Sequence, residues 1–219
     1  MWDPSTSSEP LHKLWESTIT GAHPPYSLPA DKFRSLITTP LTRVFVAHQD
    51  DKLVGFAITY LIRSGSQWNK AQAYHKGALA ALIVDPKYRN TGIGSILHTK
   101  ALEYLTEKVK ESFQYASPSP EKSQIQLGST FPRIFPGVPE GPGFDEAKEW
   151  FAKRGWKFGD KKSIDLYQAF PPAKSVDLEG AMKKARNNGF TFGEPRDEDI
   201  EKLYQLQKDN FDSYTVSLF

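Results

Sequence analysis

Apolar positions change period several times along the chain, and each change predicts a new element. Leu11, Leu14, Trp15 and Thr18 recur at helical spacing and stop before Gly21 and Pro24-Pro25, predicting a short helix. A second amphipathic run covers 31–37, opening on an acid and ending before Pro40. Two alternating stretches, 43–48 and 53–62, flank the polar turn 49–52 and predict an antiparallel hairpin. After a polar loop, 63–76, the run Gly77 to Val84 is apolar without alternation, as in a central strand buried on both faces. From Gly92 a helical stripe follows, Ile93, Leu97, Ala101 and Leu105, joined by Ile96 and Leu102. Residues 117–123 are Ser- and Pro-rich, 125–128 predict another strand, and 130–143 form a Gly- and Pro-rich connector. A helix over 146–154 closed by Gly155 and a strand over 163–169 complete this part. Beyond Pro171-Pro172 the character changes: 178–187 is helical, 190–193 strand-like and 200–211 amphipathic. The predicted division is therefore 1–172 and 173–219.

Composition narrows the functional classes. The 219 residues carry 28 basic and 26 acidic side chains, so no whole-chain field favours nucleic acid or anionic lipid. Absence of cysteine removes disulfides, thiolate nucleophiles and Cys-ligated zinc. His12, His23, His48, His75 and His98 lack the spacing of a helical metal site, and no metal is expected. Without a leader-like N-terminus or an apolar run of about 18 residues, the expectation is a soluble, cytoplasmic protein with no membrane partner.

The candidate chemistry lies between strand and helix, in Val84-Asp-Pro-Lys-Tyr-Arg89-Asn90-Thr91-Gly92-Ile93-Gly94-Ser95. Glycines without Cβ atoms let the backbone approach phosphate oxygens, and the unpaired amides of a first helical turn face an anion with the dipole behind them. Arg89 adds a positive fork. Neither the G-x-G-x-x-G order of a dinucleotide turn nor the G-K-[ST] of a P-loop is present.

This R-x-x-G-x-G, set between an apolar strand ending in V-D-P and an amphipathic helix, resembles the coenzyme A loop of GCN5-related N-acetyltransferases (GNAT), and the element order over 11–169 is similar to theirs. The resemblance implies an α+β fold: a central twisted mixed sheet flanked by helices, with splayed fourth and fifth strands. It implies acetyl-coenzyme A as cosubstrate. The pyrophosphate would lie on Arg89, Asn90, Thr91, Gly92, Ile93, Gly94 and Ser95, and the pantetheine on backbone groups of Leu82, Ile83 and Val84. The chemistry implied is attack of a neutral amine on the thioester. Two departures stand out. Where many members carry L-Y-E-K-x-G-F, this chain has Trp150-Phe151-Ala-Lys-Arg-Gly155-Trp156, and Phe151 has no proton to donate. The predicted fourth strand offers alanine and leucine over 78–82, where some members place a glutamate base.

The connector 131–139 and Ser163-Ile-Asp165-Leu166 resemble a GNAT subgroup of amino-sugar acetyltransferases, some in tandem and some fungal ones joined to sugar hydrolases. The expected acceptor is a small-molecule amine, glucosamine or a related amino sugar first. Asp165 either holds or deprotonates that amine or is a solvated strand residue. Arg133 and Glu140 read as loop charges, and Phe135 and Trp150 as core aromatics beside an apolar helix, the alternative being that they stack on a sugar face. Trp68 lines a site or caps the hairpin. Competing readings are a noncatalytic coenzyme A module and acetylation of protein lysines or N-termini. At the ends, the family's opening strand is missing before Leu11, while 189–211 resembles the opening of a second GNAT unit with Asp197 as helix cap. This reads as a fragment of a tandem protein, or as 190–193 pairing with the first sheet, in the same molecule or a dimer partner.

Overall fold

A computed structural model describes residues 1–20, 26–64, 74–113, 125–129, 132, 134–141, 143–160, 177–193 and 196–210. The chain divides into two compact units, Met1–Phe158 and Gly159–Phe219. The first contains α1 (Glu9–Trp15), α2 (Ala30–Ile37), β1 (Thr42–Gln49), β2 (Lys52–Ser64), β3 (Tyr74–Val84), α3 (Ile93–Phe113), β4 (Ile125–Leu127) and α4 (Asp145–Ala152). The four strands form one sheet in the order β1-β2-β3-β4, antiparallel except for the parallel pair β3–β4. The family's fourth and fifth strands correspond to β3 and β4 in this numbering, and the mixed α+β class expected from the sequence is present.

Each face of the sheet buries a separate apolar layer. On one side Leu11, Leu14 and Trp15 of α1 and Phe33 and Ile37 of α2 pack on Phe56, Ile58 and Tyr60 of β2. On the other, Leu97, Ala101, Leu105 and Val109 of α3 pack on Ala57, Leu61 and Leu79. Each fully buried side chain of this kind contributes about 1.5–3 kcal/mol. Ile96, grouped with the α3 stripe on sequence, is instead 64% exposed, because it lies about 100° around the helix from Leu97. The α1 helix runs into a π-helical turn, Glu16–Thr20, which the spacing of Leu11 to Thr18 does not announce. Thr18, on the same face as Leu11, Leu14 and Trp15, lies at the edge of the interior, and its hydroxyl has no hydrogen-bond partner among the described residues.

Alternation along β3 breaks once. Ile58 pairs with Ala81 and Thr59 with Leu79, so Ala80 is an extra, bulged residue. Both Ala80 and Ala81 consequently face the α1–α2 layer, and the parity of everything beyond them is reversed. Leu82 and Val84 then project to the α3 side, while Ile83 faces α1 and α2. The same position is where β3 leaves β4: pairing covers Gly77, Ala78 and Leu79 only, and the last link is Gly128 N–H to Leu79 O at 2.8 Å. β4 itself ends at Leu127, so among the described residues the stretch of β3 from Ala80 to Val84 has a strand partner only in β2.

At the opposite edge the Trp2 N–H donates to Val44 O at 2.9 Å, followed by a turn at Asp3 to Thr6. Within the second unit, α5 (Leu178–Asn187) starts at Asp177, whose carboxylate accepts the Gly180 N–H at 2.8 Å, and ends before Gly189. Residues 190–193, expected to be strand-like, carry no strand in this structure. Asp197, expected to cap the last helix, instead opens a 3-10 turn. The Arg196 N–H reaches the Asp199 carboxylate at 3.1 Å before α6 (Ile200–Asn210). The compact-unit boundary at 158 precedes 161–176, which lie outside the described residues, and the sequence division at 172 falls within that stretch. Among the described residues no helix is long and apolar enough to cross a membrane.

Candidate functional site

Beyond Val84 the chain is wound tightly into α3. The Asp85 carboxylate accepts the Lys87 N–H at 3.0 Å and lies 3.4 Å from Lys52 Nζ, and both contacts hold its pKa below the usual carboxylate range. Thr91 Oγ1 donates to Tyr88 O at 2.6 Å, and Asn90 and Gly92 both sit at positive φ, 62° and 92°. Gly92 is therefore required by the backbone itself, since a side chain there is strained. The helix's Ile96 N–H bonds Gly92 O at 3.1 Å, which leaves the amides of Ile93, Gly94 and Ser95 ahead of that bond at the positive end of a 21-residue helix. Arg89 leans back so that its Nε donates to Val84 O at 3.3 Å, anchoring the guanidinium beside the loop.

Gly94 has a different reason to be small. A Cβ on it would meet Trp150 Cζ2 at 3.6 Å, Val84 Cγ2 at 3.7 Å and Leu82 Cδ2 at 3.9 Å, all ordinary contacts, and its φ is unexceptional. The fold does not need this glycine, and a longer side chain would enter the space between α3, α4 and the end of β3. Arg154 lies beside the same helix end. One of its terminal nitrogens donates to Ser95 Oγ at 2.8 Å, another to Trp150 O at 3.0 Å, and its Cζ stands 3.4 Å from the Trp150 ring centroid. An open groove of about 770 Å³ starts at Ser95 and Arg154 and runs along α3 past His98, Leu102 and Thr106 to Lys110.

Where β4 ends, backbone groups of β3 beyond Leu79 have no strand partner on that side among the described residues. Asp85 N–H bonds Val54 O at 2.9 Å, so by strand alternation Ile83 directs its N–H and C=O to β2, and Leu82 and Val84 direct theirs to the open side. Of the three residues expected to contact pantetheine, Leu82 has both backbone groups available and Val84 its N–H, since Val84 O already accepts from Arg89 Nε. Just past β4, Gly128 is crossed by the connector: a Cβ there would be 2.5 Å from Gly137 N and 2.7 Å from Phe135 O. Ser129, next in the chain, is fully buried and donates its N–H to Phe135 O, while its hydroxyl has no partner.

His98 lies one turn into α3, buried among Trp150, Phe151 and Trp156. The Trp156 indole N–H donates to His98 Nε2 at 2.8 Å, which requires the neutral ring. Burial, and then the Arg154 charge, lower its pKa from 6.5. The folded protein thus resists a proton that the unfolded chain accepts, so stability is unaffected above about pH 6.5 and falls as pH drops below it. His75, lowered by its own burial and Arg63, acts in the same direction. We predict that His98→Gln shrinks the fall in melting temperature between about pH 7.5 and 5. An unchanged pH profile in that variant would contradict this role.

The sequence-predicted residues divide clearly. Arg89 to Ser95 form one continuous feature with Val84. Phe135 is core, stacked on Trp15 at 5.5 Å, whereas half-buried Trp150 carries Arg154 on its face. Phe151 is buried, and the helix meant to end at Gly155 stops at Ala152, with Gly155 at φ 88° completing the turn. Asp165, Arg133 and Trp68 lie outside the described residues. No group of three or more metal-ligating side chains is found among the described residues. Arg154 was not singled out on sequence. It follows Lys153 just past the end of α4 with nothing local to distinguish it, and only packing brings it to Ser95.

No curated protein matches the chain. A solved structure titled as a GCN5-related glucosamine N-acetyltransferase region in a fungal multi-domain GH3 β-N-acetylglucosaminidase is similar at 26% identity and a TM-score of 0.64. The likeness covers 98% of this chain and 23% of that one, so this chain spans under a quarter of its relative's length. An aminoglycoside acetyltransferase from an uncultured soil metagenomic sample is similar at 17% identity and a TM-score of 0.44, over 74% of this chain and 88% of that one. A transcriptional regulator from Bacillus halodurans reaches 14% and 0.48, over 75% and 96%. At that level neither bears on activity. Family models are more decisive, because the acetyltransferase (GNAT) family matches residues 8–118, half of the chain, and includes β3, the glycine loop and α3. This chain belongs to the GNAT family of acetyltransferases.

Proposed function

We propose that the chain moves an acetyl group from acetyl-coenzyme A to a primary amine, with glucosamine or a related amino sugar as the first acceptor. The observation that carries this reading is the loop from Arg89 to Ser95. Its free helix-end amides and anchored guanidinium suit a pyrophosphate, and it adjoins the open side of β3 where Leu82 and Val84 offer backbone partners. In the reaction the amine nitrogen attacks the thioester carbonyl, a C–N bond forms, the C–S bond breaks, and the coenzyme leaves as thiolate. The amine's proton passes to a base or to water. Phe151 cannot reprotonate the thiolate, and β3 is apolar from Ala78 to Leu82, so the chain's described contribution is binding and orientation. Asp165 is the proposed partner of the amine. The acceptor follows from the likeness to the glucosamine N-acetyltransferase region, supported by the connector and Asp165. The same two departures favour a second reading, a coenzyme A module without catalysis.

Thiol release from acetyl-coenzyme A separates these. With an amino-sugar panel, turnover is expected with glucosamine, and Asp165→Asn should lower turnover more than coenzyme binding. Turnover with peptides but with no amino sugar would overturn the acceptor. Tight binding without turnover of any amine would establish the noncatalytic module.

A further inference from the structure

We propose that Arg154 is a second phosphate-binding arm of the coenzyme site, reaching across from α4 to the first turn of α3. This rests on the coenzyme reading above and adds to it a residue that falls at the open x of the L-Y-E-K-x-G-F pattern. The guanidinium is held from two directions. The Trp150 carbonyl, at the C-terminal end of α4, accepts one N–H at 3.0 Å, and the Trp150 ring supports its flat face at 3.4 Å. From there it projects to Ser95 Oγ, 2.8 Å away, at the opposite pole of another helix. A cation is favoured at the carbonyl end of a helix and disfavoured at the amide end. Arg154 occupies both situations at once, and Arg89, held to Val84 O at the end of β3, adds a second positive charge in the loop that leads into the same helix. Among the described residues neither arginine is paired with a carboxylate. Positive helix end and Arg154 therefore meet, with Arg89 in the preceding loop, and no carboxylate among the described residues pairs with either arginine; a coenzyme phosphate would supply the anion.

The donor geometry fits. Guanidinium has five N–H donors, of which two are used by Trp150 O and Ser95 Oγ, so a fork remains for phosphate oxygens. The phosphate is either the bridging pyrophosphate, which the loop amides would share, or the 3′-phosphate monoester. The groove leading from Arg154 along α3 gives the nucleotide end room in either case.

Calorimetric titration of the whole chain with coenzyme A and with 3′-dephospho-coenzyme A tests this, using wild type, Arg154→Gln and Arg154→Lys. Arg154→Gln should weaken coenzyme A binding about tenfold or more, the usual scale for a charge-assisted contact, and should flatten its dependence on salt. Arg154→Lys, which keeps charge but loses the fork and the stacking, should fall between. An equal loss for both ligands assigns the pyrophosphate; a loss confined to coenzyme A assigns the 3′-phosphate. Affinity within about twofold of wild type in Arg154→Gln, or an unaltered salt dependence, would overturn the proposal while leaving the coenzyme reading intact. Failure of the wild-type chain to bind either ligand would overturn both.

Discussion

Phenylalanine in place of Gly94 is expected to lower coenzyme A affinity about 100-fold, equivalent to about 2.8 kcal/mol, without unfolding the protein. The reason lies in which of the two motif glycines the backbone needs. Gly92 sits at φ 92°, so any side chain there strains the loop whether or not a ligand is present. Gly94 has an ordinary helical φ, and a Cβ on it would find contacts of 3.6–3.9 Å with Trp150, Val84 and Leu82. Alanine at 94 should hold or raise thermal stability, by up to about 1 kcal/mol, because it lowers the conformational entropy lost in helix formation. Phenylalanine would fill the space between the α3 end and β3 that a pyrophosphate and pantetheine must share. Binding and stability are thus expected to move apart. If Gly94 served only helix entry, the two would fall together, and a Gly94→Phe protein with unchanged affinity by calorimetry would remove the loop from the site.

Gly128→Ala is expected to act on the fold, with a cost of about 3–5 kcal/mol and a melting temperature lower by roughly 10 °C. Two penalties combine. Gly128 has φ 85°, and the added methyl would come within 2.5 Å of Gly137 N and 2.7 Å of Phe135 O. Both neighbours are backbone, and Phe135 is locked by its stacking on Trp15 and an edge contact with Tyr26, so the connector cannot yield cheaply. The connector crosses where β4 ends beside Leu79, and displacing it would loosen the pairing of β3 with β4. Thermal unfolding of the variant within about 2 °C of wild type would mean that the crossing is not tight.

How much of this was legible depends on whether the cause is local. The run Gly77 to Val84, the loop and α3 could be read because a buried strand, paired glycines and a fourfold apolar stripe each leave a mark in the residues that form them. The bulge at Ala80 left none: in Ala-Leu-Ala-Ala-Leu every register is equally apolar, and only pairing with β2 shows which alanine is extra. That hidden shift decides that Leu82 and Val84, and not Ile83, offer backbone groups to the open side. Arg154 was illegible for a different reason. Its contact with Ser95 spans 59 positions, and no helical or strand spacing relates them. His98 stood out on sequence only as lacking metal-site spacing, and its partner Trp156 lies 58 positions away, so its sensitivity to acid could not be foreseen. Conversely, 190–193 carries the apolar alternation of a strand and forms none in this structure, because alternation states a preference and pairing requires an edge.

Hydrogen exchange of the full chain with and without coenzyme A tests the site assignment most directly, since it reports on the very amides invoked. Those of Ile93, Gly94 and Ser95 precede the helical bond from Ile96 to Gly92 and should exchange fast in the free protein. On adding coenzyme A they are predicted to slow together with Leu82 and Val84 at the end of β3, while Trp2 and the β1 edge stay as they were. Slowing confined to other segments, or none at 82–84 and 89–95 at saturating coenzyme A, would contradict the assignment.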